Sequence, residues 1–172
     1  MYYIGFDLGS SSVKAALIET STGKSVGITQ FPETEMVIVA EQTGWAEQDP
    51  NLWWKNIGKV TKKLLTQTGV SSKKIKGIGI AYQMHGMVVV DKNQQVLRPS
   101  IIWCDSRAVA IGNETFKGVG EDKCVSNLLN SPGNFTLSKL KWVKENEPKI
   151  FEKVAKLMLP GDFIAMKLTG EV

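Results

Sequence analysis

Two short stretches rich in apolar residues, 2–8 and 13–18, are separated only by Gly9-Ser10-Ser11-Ser12. That pattern predicts two strands joined through a polar, glycine-bearing tip. Thr20-Ser21-Thr22-Gly23-Lys24 supplies a second turn, and 25–31, with Val26 and Ile28 alternating against polar neighbours, a third strand. Three antiparallel strands therefore open the fold. Residues 31–48 carry no clean period and read as a long excursion. Asp49-Pro50 then pairs a good N-cap with the residue best suited to a first helical position. Trp53, Ile57, Val60 and Leu64 recur on one face of the helix that follows, and Gly69 can end it. Burying those four side chains contributes about 6 to 12 kcal/mol gross, whereas ordering the backbone of this helix costs at least ~20 kcal/mol. The helix needs a sheet behind it.

Residues 75–82 provide a further strand, with Ile78 and Ile80 on one face and Gly77, Gly79 and Ala81 on the other, so that a close neighbour is expected on the bare face. Strands at 87–91 and 96–97 flank the Lys92-Asn93-Gln94 turn, and another follows Pro99-Ser100 at 101–103. From there the pattern turns helical: 106–116, 122–129, 136–146, 148–159 and 162–168, separated by glycine or proline breaks. No internal repeat or low-complexity tract interrupts it.

A length of 172 residues fits one domain, or a domain with part of another, and 42% hydrophobic with 22% charged residues is an ordinary globular composition rather than a disordered or fibrous one. No apolar run approaches the about 20 residues that cross a bilayer. The amino terminus lacks a basic n-region and is interrupted by Asp7, so no signal peptide is expected. Cys104 and Cys124 are too few for a stapled secreted scaffold and are not at metal-ligand spacing, which makes a reducing cytoplasm the expected compartment. The formal charge of +4 weakly favours an anionic ligand. Lysine pairs at 62–63 and 73–74 have no aromatic neighbours and no nucleic-acid motif, and read as solvated helix faces; neither nucleic acid nor membrane is an expected partner.

Three segments carry candidate chemistry. The tip from Asp7 to Lys14 offers a carboxylate, glycine-permitted amides, the hydroxyls of Ser10, Ser11 and Ser12, and an ammonium, groups that suit a phosphate with its magnesium. It is no Walker A loop, since a strand and not a helix follows, and a plain polar hairpin turn accounts for it equally well in isolation. Gln83-Met84-His85-Gly86 stands at a strand end, where ligand-facing residues concentrate. His85, the single histidine, could exchange hydrogen bonds with substrate hydroxyls beside an adaptable Met84 wall, against the alternative of a structural histidine. At the next strand end Trp103 could lie against the carbon face of a sugar while Asp105 and Arg107 fix hydroxyls. The alternative there is a core tryptophan with a surface ion pair.

Taken together, Phe6-Asp7-Leu8-Gly9-Ser10-Ser11-Ser12-Val13-Lys14, Trp45-Ala46-Glu47-Gln48-Asp49-Pro50 with Trp53-Trp54, the run from Gly79 to Gly86 and the run from Leu97 to Trp103 resemble the carbohydrate kinases of the FGGY family, within the actin and hexokinase superfamily. Leu159-Pro160-Gly161-Asp162-Phe163 and Thr169-Gly170-Glu171 extend the likeness, which runs nearly end to end. The resemblance implies an α/β fold of the ribonuclease H-like kind, a mixed sheet flanked by helices. It implies transfer of the ATP γ-phosphoryl group to a ketose, D-xylulose first, with ribulose, glycerol or a similar polyol, or a non-catalytic sugar-binding module, as alternatives. Matched residue by residue, Asp7 would organise magnesium and the catalytic centre, Ser10, Ser11, Ser12 and Lys14 would face the nucleotide phosphates, and Met84, His85, Trp103, Asp105 and Arg107 would line the sugar site. Cys104 departs from the asparagine common in members acting on D-xylulose. Family members are far longer and carry both the general base and an ATP-holding second domain beyond the equivalent of Val172. A first domain, catalytically incomplete alone and homodimeric within the complete enzyme, is therefore the expectation.

Overall fold

The computed structural model describes residues 1–172, which divide into two compact units. The first unit comprises Met1–Val37, Asn51–Gln83 and Pro160–Glu171. Its sheet is built from β1 (Tyr2–Leu8), β2 (Val13–Glu19) and β3 (Ser25–Phe31), the antiparallel meander expected. The sheet order is β3-β2-β1 and then the strand Ile75–Tyr82, which lies parallel to β1. One antiparallel meander plus one parallel neighbour makes a mixed sheet, because a helix of 19 residues, α1 (Pro50–Thr68), carries the chain back to the same end. Alternation decides the faces. Ile4, Phe6, Leu8, Val13, Ala15 and Leu17 are buried, and so are Trp53, Ile57, Val60 and Leu64 of α1. Leu64 and Thr68 lie directly against Gly27 of β3, so any larger residue at 27 would push the helix off.

The opposite sheet face carries Tyr3, Gly5, Asp7, Lys14, Ala16 and Ile28, and no helix of this unit covers it: Tyr3 and Ile28 are exposed. The close neighbour expected over the glycines of the fourth strand is found at Gly77, under the Tyr3 ring, but not at Gly79, where a side chain would meet nothing within 4 Å. A last helix, Pro160–Thr169, packs on that strand, its Gly161 pressed against the Tyr82 ring.

The second unit comprises Ile38–Pro50 and Met84–Leu159, with Val172. Inside the long excursion a two-residue strand, β4 (Glu47–Gln48), pairs antiparallel with Ser100–Ile101, a ladder that lies one residue earlier than the strand expected at 101–103. Numbering in chain order makes Ile75–Tyr82 β5, Val88–Val90 β6 and Ser100–Ile101 β7. Residue 96 joins Val90 only through an isolated bridge. Helices α2 (Val109–Val119), α3 (Glu121–Leu128) and α4 (Thr136–Asn146) follow. The helix expected over 148–159 is corrected: α5 spans only Pro148–Phe151, and Lys156–Met158 forms β8, paired antiparallel with β6. The reason is tertiary. Three all-buried valines at Val88–Val90 present an unpaired ladder, and β8 satisfies it while Val143, Met87, Val89 and Ile101 close the core alongside. Pro160–Thr169 is then α6.

Candidate functional site

In the first unit the tip between β1 and β2 closes through a hydrogen bond from the Gly9 amide to the Ser12 carbonyl at 3.1 Å, and the Ser11 carbonyl accepts from the Met36 amide at 2.7 Å. These bonds fix the turn and leave Ser11 exposed, with Ser10 and Ser12 half-buried. Asp7 and Lys14 are direct cross-strand partners, with ammonium and carboxylate 3.9 Å apart and each side chain more than half exposed. A pair this open and this long contributes little to stability. The strand next to Asp7 offers only Gly79 and Ala81 on the same face, and a side chain at Gly5 would also meet nothing within 4 Å. Asp7 therefore rims a shallow hollow of about 340 Å³ with Gly5, Lys14 and Ala16, and does not point into packing.

The second unit places the strand-end segments. His85 adopts a left-handed backbone, φ 58°, which a non-glycine residue holds only when its surroundings enforce it. Its ring stacks on Phe135 with centroids 4.6 Å apart and planes 13° from parallel, and its carbonyl accepts from the Lys139 ammonium at 2.8 Å. Burial, reinforced by the Lys139 charge, pushes the imidazole below its ordinary value, so near neutral pH it both donates and accepts. Met84 beside it is 60% exposed, an apolar side chain standing at the surface of its unit.

Trp103, Asp105 and Arg107 separate. Trp103 is 43% exposed, while Asn134 donates to its carbonyl and holds the backbone. Asp105 and Arg107 are buried, their side chains 0% and 1% exposed. Both carboxylate oxygens of Asp105 accept from the Arg107 guanidinium at 2.7 to 3.0 Å, and one also takes the Ala46 amide at 2.6 Å. Arg107 reaches Glu47 at 2.6 Å and stacks over the Trp45 ring at 3.7 Å. Arg98 bonds the same Glu47 oxygen and, at 3.1 Å, Glu147. Two expectations are thereby corrected. Asp105 and Arg107 have no surface left with which to fix hydroxyls, and the alternative reading is inverted as well, since the tryptophan is exposed and the ion pair is buried. The Trp45-Ala46-Glu47 motif is what this network clamps.

Lys139, Phe135 and Glu47 are the residues that sequence reasoning missed. Helix α4 was expected, but its facing is contrary to residue type: Leu137 is 71% exposed and Lys139 fully buried. Glu47 lies between Ala46 and Gln48 with nothing in its local pattern to mark it as an ion-pair partner. Among all residues no three histidine, cysteine or carboxylate groups converge to hold a metal, and no helix is long and apolar enough to cross a membrane.

A mixed sheet with an exposed aspartate at its first turn, and a second unit with one histidine-bearing turn, define a class. The chain belongs to the FGGY family of carbohydrate kinases, whose N-terminal domain it matches over residues 2–172. It is similar to the xylulose kinase of Escherichia coli (strain K12), 38% identical over 170 residues that make up 98% of this chain and 34% of that protein. The solved "xyloylose kinase" of Brucella ovis superposes with a TM-score of 0.88 at 36% identity, covering 99% of this chain and 35% of that one. For the xylulose kinase of Rhodospirillum rubrum the TM-score is 0.89 at 30% identity, over 99% and 34%. The chain spans about a third of the length of these relatives.

Proposed function

We propose that this chain is the sugar-binding, amino-terminal part of an ATP-dependent kinase that phosphorylates D-xylulose. The observation that carries the reading is the His85 turn. A strained backbone, a ring fixed on Phe135 and an imidazole kept neutral make a rigid hydrogen-bonding group beside the exposed Met84, which is the kind of pre-organised polar point that selects among hydroxyl patterns. The names of the E. coli and R. rubrum relatives support the choice of ketose.

The open Asp7 supports the nucleotide half of the reading. An accessible carboxylate, with a lysine 3.9 Å away and outside any cluster of three histidine, cysteine or carboxylate side chains, suits a magnesium ion shared with nucleotide phosphates rather than a resident metal in a protein cage. Bound there, MgATP would supply the phosphoryl group and neutralise the charge that develops on it. Ser10, Ser11, Ser12 and Lys14 are the remaining donors at the tip. Phosphoryl transfer is mostly positioning and charge stabilisation, so this part alone is expected to release no ADP in a xylulose-dependent coupled assay.

The single imidazole gives a direct test. Titration of the chain with D-xylulose, ribulose and glycerol, followed by the His85 C2–H resonance, should show a saturable shift with D-xylulose at the lowest concentration. An equal response to glycerol would move the assignment to another polyol kinase, and no response to any sugar would leave a structural histidine.

A further inference from the structure

We propose that Lys139 is a positioning residue for the sugar site: its buried ammonium ties the carbonyl of His85 to that of Ile102 and so sets where Met84, His85 and Trp103 are presented. The inference rests on the sugar-site reading of Met84 and His85. Lys139 is fully buried within α4, and its two hydrogen-bond acceptors are both main-chain carbonyls, His85 at 2.8 Å and Ile102 at 3.0 Å. These carbonyls are 17 residues apart in sequence and each lies next to an exposed candidate sugar contact, Met84 on one side and Trp103 on the other. Beyond the turns the two segments meet through a single bridge, the Met87 amide donating to the Ile101 carbonyl at 3.0 Å, and the ammonium adds a second tie nearer the exposed contacts.

The same helix end grips His85 twice. Phe135, the residue that leads into α4, stacks on the ring, and Lys139, four residues further on inside the helix, holds the carbonyl. Ring and backbone of a left-handed residue are thus set by one rigid element, which is the condition under which strain persists.

The charge itself is costly to bury. Burial, with the Arg107 charge acting in the same direction, drives the Lys139 value down to about 8 against partial support from Asp105 and Cys104, so the charged form opposes folding at neutral pH, and a methionine, one atom shorter, would avoid that cost. What methionine cannot do is satisfy two carbonyls at once.

The test uses the one histidine signal. Asp105, Cys104, Arg107 and His85 are the charged or titratable groups about the ammonium, and to remove the thiol from that set the pH series is recorded in a Cys104→Ser chain. Its His85 C2–H resonance should show an inflection near pH 8, the value of Lys139, in addition to its own lower one. Lys139→Met should abolish that inflection and weaken D-xylulose binding about tenfold or more, while urea unfolding stays cooperative. A Cys104→Ser chain without the inflection overturns the proposal, and it needs no substitution at 139, so a Lys139→Met chain that fails to fold does not protect the idea. A folded Lys139→Met chain with the parent's His85 shift and ketose affinity overturns it too. If the inflection is present but D-xylulose leaves the signal unmoved, the sugar-site reading fails and the tie between Lys139 and His85 stands.

Discussion

Replacing Arg107 with methionine should cost this protein about 3 to 5 kcal/mol, the loss expected when one partner of a buried ion pair is removed. The structure says why the figure belongs at that level. Asp105 is wholly buried, and apart from the Ala46 amide every hydrogen bond found on its carboxylate comes from Arg107. Three carboxylates, Glu47, Asp105 and Glu147, face two guanidinium groups, Arg98 and Arg107. Arg107→Met leaves three against one, while the methionine stem still covers the Trp45 ring. Glu47→Gln, by contrast, leaves two against two, each arginine keeping a carboxylate of its own. It should cost roughly 1 to 3 kcal/mol, the range of a lost charged hydrogen bond. Equilibrium urea unfolding measures both, with Arg107→Met moving the midpoint down by about 1 to 2 M. The control is Glu145→Gln, whose partner Lys141 lies 3.7 Å away at the half-exposed surface, and which should change stability by less than ~0.5 kcal/mol. Should Arg107→Met prove no more harmful than Glu47→Gln, charge balance is not what holds the network, and the reasoning fails.

Three further outcomes follow from other parts of the molecule. Asp7→Ala in the complete kinase polypeptide should lower turnover by orders of magnitude while this part keeps its unfolding midpoint, because the side chain is more than half exposed and its ion pair with Lys14 is 3.9 Å long; unchanged turnover would remove the phosphate-side assignment. Lys139, with a folded value of about 8 against an ordinary 10.5, binds fewer protons folded than unfolded between those values. Its contribution to stability therefore rises as pH climbs through that window, on the order of 3 kcal/mol in all, and the stability difference between the parent chain and Lys139→Met should shift in favour of the parent from about pH 7 to about pH 10. Gly112→Ala should destabilise by about 1 to 3 kcal/mol in the same urea assay, since the added methyl would run into the Gly133 backbone, which has no flexible side chain to give way.

The elements that local pattern encodes were legible with little error. β1, β2 and β3 stand where alternation and turn residues put them, and α1 starts at Pro50 with Trp53, Ile57, Val60 and Leu64 buried on one face. The segments holding Asp7, Met84, His85 and Trp103 could be singled out because short polar runs at strand ends are visible in the order of residues. What residue type misjudged was α4, where a leucine is outside and a lysine inside, and β8, three residues that read as the end of a helix. The roles of Asp105 and Arg107 were misjudged for a related reason: the groups that bury them, Ala46 and Glu47, come from some sixty residues away.

By itself, then, the order of residues determined the meander, the first helix and the strand-end turns, because turn chemistry and hydrophobic period act between neighbours a few positions apart. Tertiary structure alone decided which charges were taken out of water and which stayed in it. An ion is buried only where partners brought from distant parts of the chain repay its lost hydration, and that is why Asp7 stands open on a sheet face while Asp105, with Arg107 and the Ala46 amide around it, does not.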